Sequence, residues 1–281
     1  MLNISHSYLQ LAEAIAEHVN IPLIRQIYIP GMNDEPGCTH KFGAVVLEDG
    51  SVGIMFILMD ETLPQLLQYV EALQCQGTNP MLLARSFTNT DPVKKTLALG
   101  TLNAISQFIL RNSGYQLDYT TDSLALFHPQ PSDAMGMVGY FPPLVKHIRE
   151  ANVPLTVIEL KEELVRQEPG LLVTLDTSEL RHCTKVLCTS TVLLNDSLDD
   201  ILLNCQEAER VAIIGPTAGF LPDPLFERGV DTIGGTVIHD AELFLQLCQK
   251  GDKWGTAAKK YCIQRNQYPG FKTLLAGFEL P

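Results

Sequence analysis

Cations, aromatic rings and long apolar runs are all scarce in this chain of 281 residues. Its 20 lysines and arginines face 32 aspartates and glutamates, and the net charge of −12 opposes attraction to a nucleic-acid backbone or an anionic bilayer. Nucleic acid and membranes are therefore not expected partners. The longest apolar runs, such as Gly53 to Met59, fall far short of the roughly 20 residues that span a bilayer. Glu13 and Glu17 sit inside the first amphipathic pattern, where a secretory signal would have an uncharged core, so a cytoplasmic protein is expected.

Catalytic signatures are missing too. No GxGxxG, GxSxG, Walker or HExxH motif occurs, which removes the usual support for dinucleotide, hydrolase, nucleotidase and zinc-protease assignments. The seven cysteines, Cys38, Cys75, Cys183, Cys188, Cys205, Cys248 and Cys262, are odd in number and follow no repeated spacing. They read as reduced and mostly buried. Cys38-Thr-His40 is the most suggestive local metal pair, with chance placement in a loop as the alternative. No second pair matches it, so a closed structural zinc site is not expected.

What the chain does contain is a 46% hydrophobic composition, enough for two cores. Leu9, Ala12, Ile15, Ala16 and Val19 recur at helical spacing and predict a helix over Ser5 to Val19. Leu23 to Ile29, Phe42 to Glu48 and Val52 to Leu58 are rich in Ile, Val and Phe, with the hairpin signal Asp49-Gly50 between the last two. They predict an antiparallel three-stranded meander. Helices follow over Thr62 to Leu73 and from the Asp91-Pro92 cap to about Arg111. From Met135 onward strands (Gly136 to Tyr140, Leu155 to Leu160, Lys185 to Thr189, Arg210 to Ile214, Thr232 to Ile238) alternate with helices (Pro142 to Ala151, Leu198 to Glu207, Pro222 to Arg228, Ala241 to Lys250). The expected fold is α/β. A small α+β domain over residues 1–90 precedes a Rossmann-like parallel-sheet domain over residues 91–281, which includes the long leading helix and a basic tail.

Several neutral positions stand out. Thr96, Gly100, Asn103 and Gln107 form an uncharged stripe along the long helix. Gly100 costs about 1 kcal/mol relative to alanine, so something approaches the backbone there, either a packed element or a ligand cleft. Gly136 to Pro143 reads as strand, turn and proline-led helix, a setting in which free amides suit an anion. Glu159, 20 residues after Gly139, either accepts hydrogen bonds from a ribose or serves packing or capping. Ser197 and Asp200 have the spacing of a helix cap, while Asn195 offers both a donor and an acceptor. Gly215-Pro216-Thr217 is either a plain turn or a loop that lets a ligand near the backbone. His239, Glu159 and Asp240 are the available acid–base groups, although Asp240 also fits a helix N-cap.

Taken in order, LALGTLNAISQ (Leu97 to Gln107), GMVGYFPPLV (Gly136 to Val145), VIEL (Val157 to Leu160), LLNDSLDDIL (Leu193 to Leu202), GPTAGFLPDPLF (Gly215 to Phe226) and GVDTIGGTVIHD (Gly229 to Asp240) resemble the putative heavy-metal chelation family. Its members are uncharacterised proteins with a Rossmann-like carboxyl-terminal domain. The likeness covers about the last two thirds, and the meander resembles the family's enolase amino-terminal-like domain. The resemblance implies an interdomain cleft that handles heavy metals or their chelates, with Asn103, Gly139, Tyr140, Glu159, Asn195, Gly215, Pro216, Thr217 and Asp240 as cleft residues. The family's Asn-Gly-Thr appears here as Asn195-Asp196-Ser197, which adds a charge. Soft metals favour thiolates, yet no cysteine falls in the candidate cleft motifs, so chelation here implies either a metal-bearing small molecule or a ligand held through amides and neutral polar groups.

The leading expectation is a small anionic metabolite or metal chelate in an interdomain cleft. The amides of Gly139 and Gly215 to Thr217 would bind its oxygens, and Asn103, Asn195 and the close backbone approach at Gly100 would shape the rest. The alternatives are an enzyme using a nucleotide-derived cofactor or an activated substrate, and a non-catalytic assembly subunit. The apolar content also suits a homo-oligomer.

Overall fold

The computed structural model describes residues 3–31, 41–59, 62–121 and 127–278. Helix α1 (Ile4–His18) starts where the Asn3 side chain accepts from the His6 amide at 3.0 Å, and it buries Ile4, Tyr8, Leu11, Ala12 and Ile15. Strands β1 (Ile24–Tyr28), β2 (Phe42–Leu47) and β3 (Val52–Phe56) form the expected antiparallel meander in that order. The turn between β2 and β3 is fixed by Gly50 at φ +86° and by Asp49, which accepts from the Ser51 amide and hydroxyl. Helices α2 (Leu63–Leu73), α3 (Met81–Ala84) and α4 (Pro92–Asn112) follow. Asp91 caps α4 by accepting from the amides of Val93 and Lys94, with Pro92 in the first turn.

The second sheet holds β4 (Met135–Val138), β5 (Leu155–Ile158), β6 (Arg166–Glu168), β7 (Leu171–Thr174), β8 (Lys185–Thr189), β9 (Arg210–Ile214), β10 (Thr232–Ile238) and β11 (Ala258–Gln264). Helices α5 (Pro142–Glu150), α6 (Leu198–Leu203), α7 (Asp223–Phe226) and α8 (Ala241–Lys250) connect them, and α9 (Phe271–Ala276) follows β11. The spatial order is β11-β10-β9-β8-β4-β5-β7-β6, antiparallel only at the two edge pairs. Numbered along the chain, the six parallel strands lie 6-5-4-1-2-3, the doubly wound order of a Rossmann fold. The chain therefore reverses direction across the sheet between β4 and β8.

Two differences from the sequence expectation have simple causes. β6 and β7 are three and four residues long, too short to carry a period. The basic tail contains β11, an edge strand whose exposed Lys259 and Lys260 disguise it and discourage further strand pairing.

The meander is buried on both faces. Val45 and Leu47 join the α4 residues Ala98, Leu102 and Ile105 in one core, while Ala44, Val46, Val52 and Ile54 meet Phe244 and Leu245 of α8. Nearly all of α4 from Val93 to Leu110 is buried. This explains why its face pattern is so weakly amphipathic.

Candidate ligand pocket at the sheet's switch point

Gly139 ends β4 at φ +85°, a conformation that disfavours other residues, and a Cβ there would lie 3.1 Å from Cγ2 of Thr189 at the end of β8. Its amide donates to the carbonyl of Ile158 at 2.9 Å, and the Tyr140 amide donates to Glu159 Oε1 at 2.6 Å. The other carboxylate oxygen of Glu159 accepts from the Leu160 amide at 3.0 Å. Glu159 thus joins the turns after β4 and β5, the capping alternative to ribose recognition. Tyr140 stands outside the turn, its hydroxyl accepting from Arg166 Nη2 at 2.6 Å and its ring 5.1 Å from that guanidinium.

These findings correct the expected anion site. The amides of Gly139 and Tyr140 are already bonded, and α5 begins with Pro142 and Pro143, which carry no N–H. Its next two amides, of Leu144 and Val145, both donate to the Phe141 carbonyl.

A cavity of 160 Å³ opens beside Gly139, at the carboxyl ends of β4, β5 and β8. Val138, Ile158, Val192 and Ile201 supply apolar walls, and Met59, just beyond the meander, adds a contact from the other half of the chain. Its polar lining is Thr177, Thr189, Thr191, Asn195, Ser197 and Glu159, the one charged side chain among the described lining residues. The hydroxyls of Thr189 and Thr191 lie 3.0 Å apart. Ser197 begins α6 but does not cap it with its side chain; its amide and hydroxyl instead donate to Asn195 Oδ1, at 3.3 and 2.7 Å. The expected cap is therefore an Asn195 turn that holds the carboxamide at the cavity. Open strand ends at a topological switch point are where doubly wound sheets bind ligands.

A larger groove of 690 Å³ lies near Asn3, Asp199 and Arg228, beside Val211 at the start of β9. Arg228 there is bound to Asp199, the Pro224 carbonyl and Ser7. Its cation serves to join α1, α6 and α7, so size alone does not mark this groove as a site.

The neutral stripe of α4 and the Gly215–Gly219 loop touch directly instead of facing each other across a cleft. Asn103 is fully buried and donates from Nδ2 to the carbonyls of Ile54 at 2.8 Å and Thr217 at 2.9 Å. Gln107 Nε2 donates to the Gly219 carbonyl at 2.6 Å and the Tyr261 hydroxyl at 3.1 Å, and Tyr261 in turn donates to Ala218 O. The Gly215 amide is committed to Gly234 O, Pro216 has no N–H, and the buried Thr217 hydroxyl lies 2.6 Å from that of Ser190. Gly100 abuts β3: a Cβ on it would lie 2.9 Å from Met55 Sδ, and one on Gly53 would lie 1.9 Å from the Gly100 carbonyl oxygen. Packing, one of the two readings of Gly100, is the one observed. Gly100, Asn103, Gly215, Pro216 and Thr217 build this seam and do not line the switch-point cavity.

The remaining candidates lie elsewhere. Asp240 caps α8 by accepting from the Leu243 amide at 2.9 Å, and exposed His239 follows β10, two strands from the switch point. Cys38 and His40 lie outside the described residues. The six described cysteines are buried, and no described cluster of three His, Cys, Asp or Glu is placed to hold a metal ion. Burial pushes the thiol of Cys183 up to about 11 and that of Cys205 up to about 12.

The sequence profile of the family described as "Putative heavy-metal chelation" (DUF364) matches residues 122–266, more than half of the chain. The chain belongs to this family. An uncharacterised protein of Methanocaldococcus jannaschii is 26% identical over 181 residues, 62% of this chain and 67% of that protein. Crystal structures of two family members of unknown function share the fold. The one from Pyrococcus horikoshii gives a TM-score of 0.64 at 19% identity, covering 93% of this chain and 99% of its own. The one from Desulfitobacterium hafniense gives 0.66 at 17% identity, covering 92% and 98%.

Asp196, in the Asn195-Asp196-Ser197 loop, takes a left-handed backbone at φ +56°. Its carboxylate pairs with buried Lys95 of α4 and accepts from Ser5 at 3.1 Å. Sequence reasoning singled out the residues after β8 but missed Thr177, because β7 escaped notice. It also missed the Lys95 contact, which no local pattern announces.

Proposed function

We propose that the chain binds a small polar organic molecule in the switch-point cavity, and that any metal it handles arrives as part of that molecule's chelate. The observation that carries this reading is the convergence of Thr189, Thr191, Asn195 and Ser197, from the end of β8 and the segment that follows it, on a cavity where the sheet reverses direction. Hydroxyls and a carboxamide supply both donors and acceptors, which suits an orienting role. Burial of the six described cysteines, which raises the thiols of Cys183 and Cys205, weighs against soft-metal capture at those two.

The charge of the ligand follows from the lining. Glu159 is its one charged group among described residues, and the nearby amides of Gly139 and Tyr140 are occupied, so a neutral or cationic head fits better than the anion first expected. A dinucleotide is disfavoured too, since 160 Å³ lies below the roughly 300–1,000 Å³ of sites that enclose drug-sized ligands.

Native mass spectrometry of the freshly purified full-length protein, paired with elemental analysis, tests the reading. A co-purified organic molecule whose retention drops in Asn195→Ala and Thr191→Val supports it. Metal bound without any organic molecule, or retention unchanged in both variants, contradicts it.

A further inference from the structure

Of the eight large hydrophobic residues that are exposed among those described, two line this one cavity and two more adjoin its lining along the chain or across a strand pair. Leu160 and Leu175 line it while 71% and 45% exposed. Leu58, 43% exposed, precedes the lining residue Met59. Val165, 47% exposed, adjoins Arg166, which pairs with Val173 in β7, so it sits beside the same end of that strand as Leu175. These side chains come from the turns after β3, β5 and β7 and from the segment entering β6. A concentration of apolar surface around a polar cavity marks a binding site, whereas single exposed leucines mark nothing.

The cavity's described lining holds one charged side chain, and it is acidic. Glu159 lines the cavity, and Thr177, also lining it, donates to Asp200 Oδ2 at 2.9 Å. Each Glu159 oxygen accepts one backbone amide and retains capacity for a further donor. No described Lys or Arg lines the cavity: Lys95 is paired with Asp196, Arg166 is bonded to Glu168 and Tyr140, and Lys161, next to Leu160, is exposed to solvent.

Resting on the switch-point reading above, we infer that the ligand is an amphipathic cation. A compact ammonium- or amidinium-type head enters the cavity toward Glu159, and an aromatic or branched aliphatic body lies across Leu160, Leu175 and Leu58. The cavity holds the head alone. The body is the occupant that the exposed rim requires, because rim and cavity are continuous through Leu160 and Leu175.

Three probes separate the parts of this inference: 4-phenylbutylamine (head and body), n-butylamine (head) and 4-phenylbutyrate (body with the opposite charge). Each is titrated into isotopically labelled full-length protein while the amide resonances of Gly139, Thr191 and Asn195 are followed. The expected result is that 4-phenylbutylamine binds at least about tenfold more tightly than either other probe. Tenfold is about 1.4 kcal/mol, which burying roughly 60 Å² of apolar surface supplies. Leu160→Ser/Leu175→Ser, changed at exposed positions, is expected to remove that advantage by weakening 4-phenylbutylamine at least about fivefold more than n-butylamine. Equal affinity of the two amines, preference for the butyrate, or an unaffected double variant overturns the inference. If n-butylamine still shifts the three resonances in that case, the switch-point reading survives. If no probe shifts them, both fall.

Discussion

Asn103 of α4 donates to the backbone carbonyl of Thr217 at 2.9 Å, and its other amide hydrogen goes to Ile54 of β3. One side chain therefore joins the meander, the long helix and the loop after β9. The uncharged stripe on α4 is neutral because it is buried between two layers, where a charge would lack water.

Asn103→Ala leaves two buried carbonyls without this donor. The expected loss is about 2–3 kcal/mol of unfolding free energy in urea titration. Because Asn103 does not line the switch-point cavity, the folded variant should keep its ligand affinity. A variant of unchanged stability and lost affinity would return Asn103 to the ligand site.

Gly53 and Gly100 allow β3 and α4 to approach backbone to backbone. A Cβ on Gly53 would fall 1.9 Å from Gly100 O and 2.3 Å from the Ala104 amide nitrogen, so Gly53→Ala should cost about 3 kcal/mol or more. Gly100→Ala meets chiefly the movable Met55 side chain and gains helix propensity. Its net cost is expected near about 1 kcal/mol. Thermal unfolding of the two variants checks the order, and the reverse order would contradict this packing account.

These glycines show what the sequence could and could not convey. Asp49-Gly50 and Asp91-Pro92 act locally, through turn and cap chemistry, so the meander and the start of α4 are readable from neighbouring residues. Gly100 announces a close approach without naming the partner, because Met55 comes from a strand 45 positions earlier. The site divides in the same way. Gly139 and Glu159 follow strand ends, Asn195 lies in the segment after β8, and all three line the cavity. The Gly215–Thr217 loop also ends a strand, but β9 lies one strand beyond β8, and its backbone is spent on Gly234 and Asn103. Strand order, which no single segment encodes, decides which loops open onto the site.

The Lys95–Asp196 pair should be asymmetric. The Lys95 side chain is 3% exposed and lies 5.5 Å from the Phe87 ring centre, whereas the Asp196 side chain is 53% exposed. Asp196→Ala strands a buried ammonium and should cost about 2–4 kcal/mol, while Lys95→Met leaves an aspartate that rehydrates and should cost less than about 2 kcal/mol. Chemical denaturation of both single variants and of the double variant measures the difference. Equal costs would place the lysine in water.

Stability should fall at alkaline pH. Burial raises the Cys183 and Cys205 thiols from an ordinary 9.0 to about 11 and about 12. The unfolded chain releases these protons first, so their contribution is complete below pH 9 and is lost as pH rises from there through about 12. Urea midpoints from pH 8 upward should decline, and Cys183→Ala/Cys205→Ala should decline less steeply. Parallel declines would mean that other groups carry the effect.

A crystal structure of the as-purified protein tests the central claim most directly. The account predicts ligand density enclosed by Gly139, Thr189, Thr191 and Asn195, with Asn103 still bonded to Thr217. Ligand density between α4 and the Gly215–Gly219 loop, with that bond broken and the switch-point cavity holding only water, would contradict it.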